Sequence, residues 1–96
     1  MKLSVIIPVY NEQERINDLI SHLRGLGDFE IVVSDCKGNT VNTITDKYVI
    51  NVTSSKGRGN QLNAGAKTAT GDTFLFLHSD TTLPEGFDIE IKKALN

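Results

Sequence analysis

The sequence predicts an α/β fold: an open, mostly parallel, Rossmann-like sheet with flanking helices. Three observations point there. Short runs rich in β-branched and apolar residues recur at residues 3–7, 29–35, 48–53 and 73–78. Helical stretches separate them, and strands joined through helices pair in parallel. The first run is apolar almost throughout, which suits a strand buried on both faces.

Residues 3–7 open the sheet. Pro8 cannot donate a ladder hydrogen bond, so pairing is expected to stop there. Asn11 and Glu14 read as an Asn-x-x-Glu capping box, so a helix should start directly after the strand. Ile16, Leu19, Ile20 and Leu23 have the i, i+3, i+4, i+7 spacing of an amphipathic helix, and Gly25 or Gly27 can end it through a left-handed residue. Residues 29–35 form the second strand. The turn 36–40 is rich in punctuating residues, and 40–47 reads as a poor short helix because of its threonines and β-branched side chains. Residues 48–53 form the third strand and 54–59 a loop of small and basic residues. The next helix carries Leu62, Ala66 and Ala69 on a face small enough for close approach to the sheet. Gly71 and Asp72 end it before the fourth strand, 73–78. Thr82 and Glu85 make a second capping box with Pro84 near the first turn. Phe87, Ile91, Ala94 and Leu95 give the last helix an apolar face, with Lys92 and Lys93 at its negative end.

The 96 residues suit one small domain and are few for an α/β enzyme, which usually needs more than about 150. Ten basic and twelve acidic residues give a net charge of −2, which points to no nucleic-acid partner. Cys36 is the single cysteine, so no internal disulfide forms. With no charged-then-apolar leader at the start, a reducing, cytoplasmic setting is expected. No apolar run approaches the length of a membrane span. The charge is unevenly spread. No acidic residue falls between Asp46 and Asp72, where Lys47, Lys56, Arg58 and Lys67 lie.

Four features sit at carboxyl ends of expected strands or in the loops after them: Pro8-Val9-Tyr10, Asp35, the basic loop at 56–60, and His78-Ser79-Asp80. Parallel strands place all four along one rim, where open α/β sheets bind ligands. An aromatic wall, a carboxylate acceptor, positive charge and a metal-binding carboxylate together match the needs of a nucleoside diphosphate with a hard divalent cation.

Ser4-Val5-Ile6-Ile7-Pro8-Val9-Tyr10-Asn11-Glu12 resembles the opening motif of the family 2 glycosyltransferases, whose fold is called GT-A. Ile31-Val32-Val33-Ser34-Asp35 resembles their second strand with its base-binding aspartate. Gly57-Arg58-Gly59-Asn60-Gln61-Leu62-Asn63-Ala64-Gly65-Ala66 is similar to their basic loop and Asn-x-Gly helix start. Gly71-Asp72-Thr73-Phe74-Leu75-Phe76-Leu77-His78-Ser79-Asp80 is similar to the strand that leads into their metal-binding Asp-x-Asp motif. The segments keep family order and spacing from Ser4 to Pro84.

The resemblance implies an inverting transferase that moves a sugar from a nucleotide-diphosphate donor to an unknown acceptor. The chain would be its donor-binding half, residues 1–96, with the acceptor half and catalytic base expected beyond residue 96. Pro8, Val9 and Tyr10 would line the nucleobase pocket, and Glu12 and Ser79 would belong to the donor site. Asp35 would accept from the base, Arg58 would lie near base or diphosphate, and Asn63 would steady that part of the site. Asp80 would hold Mn²⁺ or Mg²⁺, or the ribose and diphosphate around it, with His78 in place of the first aspartate as a metal ligand or as a hydrogen-bond partner of a phosphate, as in a bacterial subgroup carrying His-Ala-Asp-Thr. Imidazole is the softer ligand and favours Mn²⁺. A second departure is Lys37, in a turn that is usually more acidic. Expected partners are the donor, the acceptor and a second copy of the chain through an exposed sheet edge. Peripheral membrane association is compatible with the resemblance.

Other readings fare worse. Leu62 occupies the third glycine position of a dinucleotide fingerprint, and no Gly-Lys-Ser/Thr follows for a P-loop. Cys36 reads as a small turn residue and His22 as a surface one. A nucleotidyltransferase would show a Gly-rich basic signature in the first loop. The alternative that stays open is a nucleotide-binding module without transferase activity.

Overall fold

The computed structural model describes residues 2–79. Among them, β1 (Leu3–Val9) is the strand against which the rest is assembled. It pairs in parallel with β2 (Glu30–Asp35) from Ser4↔Glu30 to Val9↔Asp35. On its other side it pairs in parallel with β4 (Thr73–Phe76), from Leu3↔Thr73 to Ile6↔Phe76. β3 (Ile50–Thr53) joins the outer side of β2, giving the order β3-β2-β1-β4. Helix α1 (Ile16–Leu26) connects β1 to β2, and α2 (Arg58–Thr68) connects β3 to β4. The parallel α/β sheet expected from the sequence is present.

Alternation along β1 accounts for its unbroken apolar character. Leu3, Val5, Ile7 and Val9 enter a cluster with Ile16, Leu19, Ile20 and Leu23 of α1. Ile6 faces the other way and meets α2. Each fully buried Ile or Leu contributes about 1.5–3 kcal/mol relative to exposure. On the α2 side, a Cβ placed on Gly65 would come within 2.5 Å of Ile6 Cγ2, so the helix can lie this close only with glycine there. The buried positions of α2 are Gln61 and Gly65. The expected face of Leu62, Ala66 and Ala69 is only partly covered, so close approach holds but through a neighbouring stripe.

Several local expectations are corrected. Pro8 does not end pairing, because Pro8 and Val9 stay in register with Ser34 and Asp35. The Ile6 carbonyl accepts from Leu77 N–H at 2.9 Å, so even-numbered residues of β1 turn their backbone groups toward β4. β4 ends at Phe76, and the missing N–H of Pro8 therefore costs no ladder bond.

The Asn11–Glu14 capping box does not form. Asn11 has φ of 53° and its Oδ1 accepts from Asn39 Nδ2 at 2.7 Å. Residues 13–15 make a turn first, with the Glu12 carbonyl accepting from Arg15 and Ile16 N–H at 3.0 Å each, and α1 begins at Ile16 without a side-chain cap. At its other end Gly27 is extended, not left-handed, and Gly25 lies inside the helix.

The weak 40–47 stretch gives one 3₁₀ turn, Val41–Thr43. β3 and β4 are shorter than their apolar runs, leaving Tyr48 in a turn and His78 beyond the β4 end. The second capping box at Thr82 and Glu85 and the face of Phe87, Ile91, Ala94 and Leu95, with Lys92 and Lys93, lie outside the described residues.

Candidate functional site

From β1 the chain builds β2 and β3 on one side of the sheet, then returns to add β4 on the other. The carboxyl ends of β1 and β4 thus border a topological switch point, where the loops diverge and leave a crevice. A cleft of about 410 Å³ opens there. It is lined by Pro8, Val9 and Tyr10 at the end of β1, and by Glu12 and Arg15 in the following turn. Lys56, Gly57, Arg58 and Gln61 come from the start of α2, and His78 and Ser79 from beyond β4.

Local sequence explains this placement. Gly57 has φ of 123°, a left-handed conformation that glycine adopts without steric cost, and α2 starts at the next residue. The Lys56 carbonyl accepts from Asn60 Nδ2 at 3.0 Å, which closes the loop on the helix. One turn on, buried Gln61 donates through Nε2 to the carbonyls of Val9 at 2.8 Å and Ser34 at 2.9 Å. A single amide thereby satisfies both strand ends and fixes the helix start over them.

The cleft is cationic. Arg15, Lys56 and Arg58 line it against one carboxylate, Glu12, which accepts from Arg15 Nη2 at 2.7 Å. Lys37 lies close by, its Nζ 4.8 Å from the centroid of the Tyr10 ring. Such a site favours an anionic ligand, and a phosphate matches these donors best.

Of the residues singled out from the sequence, the cleft gathers Pro8, Val9, Tyr10, Glu12, Arg58, His78 and Ser79. Two are elsewhere. Asn63 is exposed on α2 and does not line the cleft. Asp35 is fully buried, with Oδ1 accepting from Lys37 N–H at 3.0 Å and Oδ2 from Thr40 and Val41 N–H at 2.8 and 3.1 Å. It organises the loop after β2. Asp80 lies outside the described residues. Among the described residues no three His, Cys, Asp or Glu side chains come together to hold a metal ion. His78 is the one donor of the expected pair that is described. It is exposed at the cleft. Sequence reading missed Gln61, Arg15 and Lys56 as individual site residues. The signal for Gln61 was its place one helical turn before Gly65, on the same stripe.

A second cavity, about 480 Å³, lies between α1 and residues 45–48. It is larger but is not at the strand ends. Arg24 and Asp46 neutralise each other there at 2.8 Å, which leaves Lys47 as its one unbalanced charge against Lys56 and Arg58 in the first.

The comparisons with known proteins agree with this geometry. A sequence profile described as glycosyl transferase family 2 matches residues 4–94. The chain is 36% identical over 96 residues to a dolichol-phosphate mannosyltransferase of Pyrococcus furiosus, covering 88% of this chain and 27% of that protein. It is 36% identical over 93 residues to a poly(ribitol-phosphate) beta-N-acetylglucosaminyltransferase of Staphylococcus aureus, covering 83% of this chain and 16% of that one. A poly(ribitol-phosphate) beta-glucosyltransferase of Bacillus spizizenii is 31% identical over 94 residues, covering 83% of this chain and 15% of the other. These define a class, the glycosyltransferases. The chain belongs to glycosyl transferase family 2. It spans about a quarter of the length of the first of these relatives and less of the others. No helix among the described residues is long and apolar enough to cross a membrane.

Proposed function

We propose that the protein carrying this chain transfers a sugar from a nucleoside diphosphate donor to an acceptor hydroxyl with inversion, and that this chain binds the donor. The observation that carries the reading is the cationic cleft at the β1/β4 switch point. Pro8 and Val9 offer backbone at the cleft wall, and Arg58 and Lys56 receive the diphosphate. As the bond from the anomeric carbon to the diphosphate breaks, negative charge grows on the leaving oxygen, and fixed cations stabilise it most at that point. The acceptor oxygen attacks from the opposite face and loses its proton to a base, which inverts the centre. That base is assigned to sequence outside these residues, since the relatives are several times longer. A divalent cation held by His78 and Asp80 would neutralise the same leaving charge.

Calorimetry with UDP and GDP, with and without Mn²⁺, tests the reading. Millimolar or tighter binding is expected, stronger with Mn²⁺. Arg58→Ala should weaken it by about 1.5–3 kcal/mol, the range for a charged hydrogen bond. A folded chain that gives no heat with either nucleotide would contradict it.

A further inference from the structure

Two clamps hold α1 to the chain that precedes β3, and the space between them is open. At one end Asn17 Nδ2 donates to the Thr43 carbonyl at 2.8 Å, and Asn17 Oδ1 accepts from Thr45 N–H at 3.1 Å. Two helical turns on, Arg24 Nε donates to Asp46 Oδ2 at 2.8 Å, and Asp46 Oδ1 accepts from Tyr48 N–H at 2.9 Å. The cavity of about 480 Å³ lies here, with buried Ile20 and exposed Tyr48 in its lining. We propose that this cavity is a docking site for an extended acidic segment of a partner protein, which seats one aromatic side chain against Ile20 and Tyr48 and a carboxylate on Lys47.

The lining selects that occupant. Arg24 and Asp46 are spent on each other. Lys47 has no carboxylate partner among the described residues, and its Nζ stands 5.3 Å from the centroid of the Tyr48 ring. The unbalanced charge therefore sits directly over an aromatic face, where an anion with an apolar neighbour satisfies both. At 74% exposure Tyr48 is the most exposed large hydrophobic side chain among the described residues. Tyrosines in such positions are frequent anchors of protein interfaces. The Asp46 clamp fixes its backbone beforehand, which lowers the ordering cost of binding. Ser21, Thr45, Lys47 and Tyr48 are all exposed, so an occupant is covered on one side only. That suits a side chain delivered by another polypeptide, since small-ligand sites enclose most of their ligand. β3 begins two residues after Tyr48 and is an outer strand of the described sheet, so its outward backbone groups are open to an extended segment. This cavity shares no lining residue with the cleft at the β1/β4 switch point, and the proposal does not depend on the donor reading.

The test is amide chemical-shift mapping on the full chain with three blocked peptides: Asp-Glu-Phe-Glu-Asp, its alanine counterpart Asp-Glu-Ala-Glu-Asp, and the basic Lys-Lys-Phe-Lys-Lys. The acidic phenylalanine peptide should bind in roughly the millimolar range expected of a single anchor, with shifts centred on Asn17, Ser21, Lys47 and Tyr48. The other two should bind at least about tenfold more weakly. Tyr48→Ala should weaken the acidic peptide about tenfold or more. Lys47→Gln should weaken it about twofold to fivefold and remove most of its salt dependence. Lys67→Gln, on α2, should change nothing. Tyr48 and Lys47 are exposed, so circular dichroism should show the variants folded like the parent, and both should bind UDP as the parent does. No shifts at about 5 mM acidic peptide would overturn the proposal. Equal binding of the basic peptide, or shifts centred on Tyr10, Arg58 and His78, would do the same. Loss of self-association in Tyr48→Ala, read by light scattering, would assign the cavity to a second copy of the chain and also overturn it.

Discussion

Gln61 shows how one side chain sets the geometry of the cleft. Its Nε2 serves two buried carbonyls on different strands, so truncation removes one donor from each. Gln61→Ala should destabilise the chain by about 2 kcal/mol or more. Gln61→Glu keeps the size, presents oxygens to those carbonyls and should cost at least as much. Denaturant unfolding measures both, and losses under about 0.5 kcal/mol would mean the amide is dispensable. Asp35 makes a parallel prediction. Asp35→Ala should speed hydrogen exchange at Thr40 and Val41, whose N–H groups it accepts, while the β1 amides stay protected. The sequence places Tyr10, Arg58, His78 and Ser79 on one rim because they follow strand ends in parallel order, and the cleft gathers them. It hides Gln61, since a polar helical residue reads as solvent-facing until the helix is known to sit on carbonyl ends. It also cannot show that Asp35 turns its oxygens to its own loop, because that depends on the fold of residues 36–41.

The helices and the amino-terminal edge of the sheet make their own predictions. Gly65 and Gly25 both lie in helices, but a Cβ on Gly65 would strike Ile6, whereas one on Gly25 meets nothing within 4 Å. Gly65→Ala should cost about 1–3 kcal/mol through overpacking. Gly25→Ala should stabilise by about 0.4–1 kcal/mol, by restricting the unfolded chain. Similar changes in melting temperature for the two would contradict the close approach of α2. At the amino ends of the strands, Glu30 accepts from Ser4 Oγ at 3.0 Å and from Thr70 N–H and Oγ1 at 2.7 and 2.6 Å. Burial alone would push its carboxyl up, but the Thr70 and Ser4 hydrogen bonds and nearby Lys2 together hold it below its ordinary 4.5. Arg24 and the Tyr48 N–H likewise lower Asp46 from 3.8. A lowered folded value means the stabilisation is complete above the ordinary value and is lost as pH falls through the folded one. Thermal melts should therefore be flat near neutrality and fall below about pH 4.5, and Glu30→Gln should flatten part of that fall. Element type was legible wherever periodicity was strong, as in β1 and α1. The capping box misled because Asn11 bonds to Asn39, a partner 28 residues away that local sequence cannot reveal.

Across the whole molecule, charge is sorted by end. Arg15, Lys37, Lys56 and Arg58 outnumber Glu12, Glu14 and Asp35 at the carboxyl rim of the sheet, while Asp28, Glu30 and Asp72 outnumber Lys2 at the amino rim. The net charge of −2 hides this dipole. The acid-free stretch after Asp46 was its one trace in the sequence. β4 forms an edge of the described sheet, and Phe74 and Phe76 stand 41% and 51% exposed. Their partners in register are Ser4 and Ile6, so they share the face covered by α2. An open strand edge beside two exposed rings predicts concentration-dependent association of the isolated chain. Light scattering over a dilution series should show it, and Phe74→Lys with Phe76→Lys should reduce it. The central claim is that a nucleoside diphosphate occupies the β1/β4 cleft, not the larger cavity beside α1. The direct measurement is amide chemical-shift mapping as UDP is added. Shifts should concentrate at Tyr10, Lys56, Arg58, Gln61 and His78. Shifts centred on Asn17, Arg24, Asp46 and Tyr48, or no shifts at millimolar UDP, would contradict it.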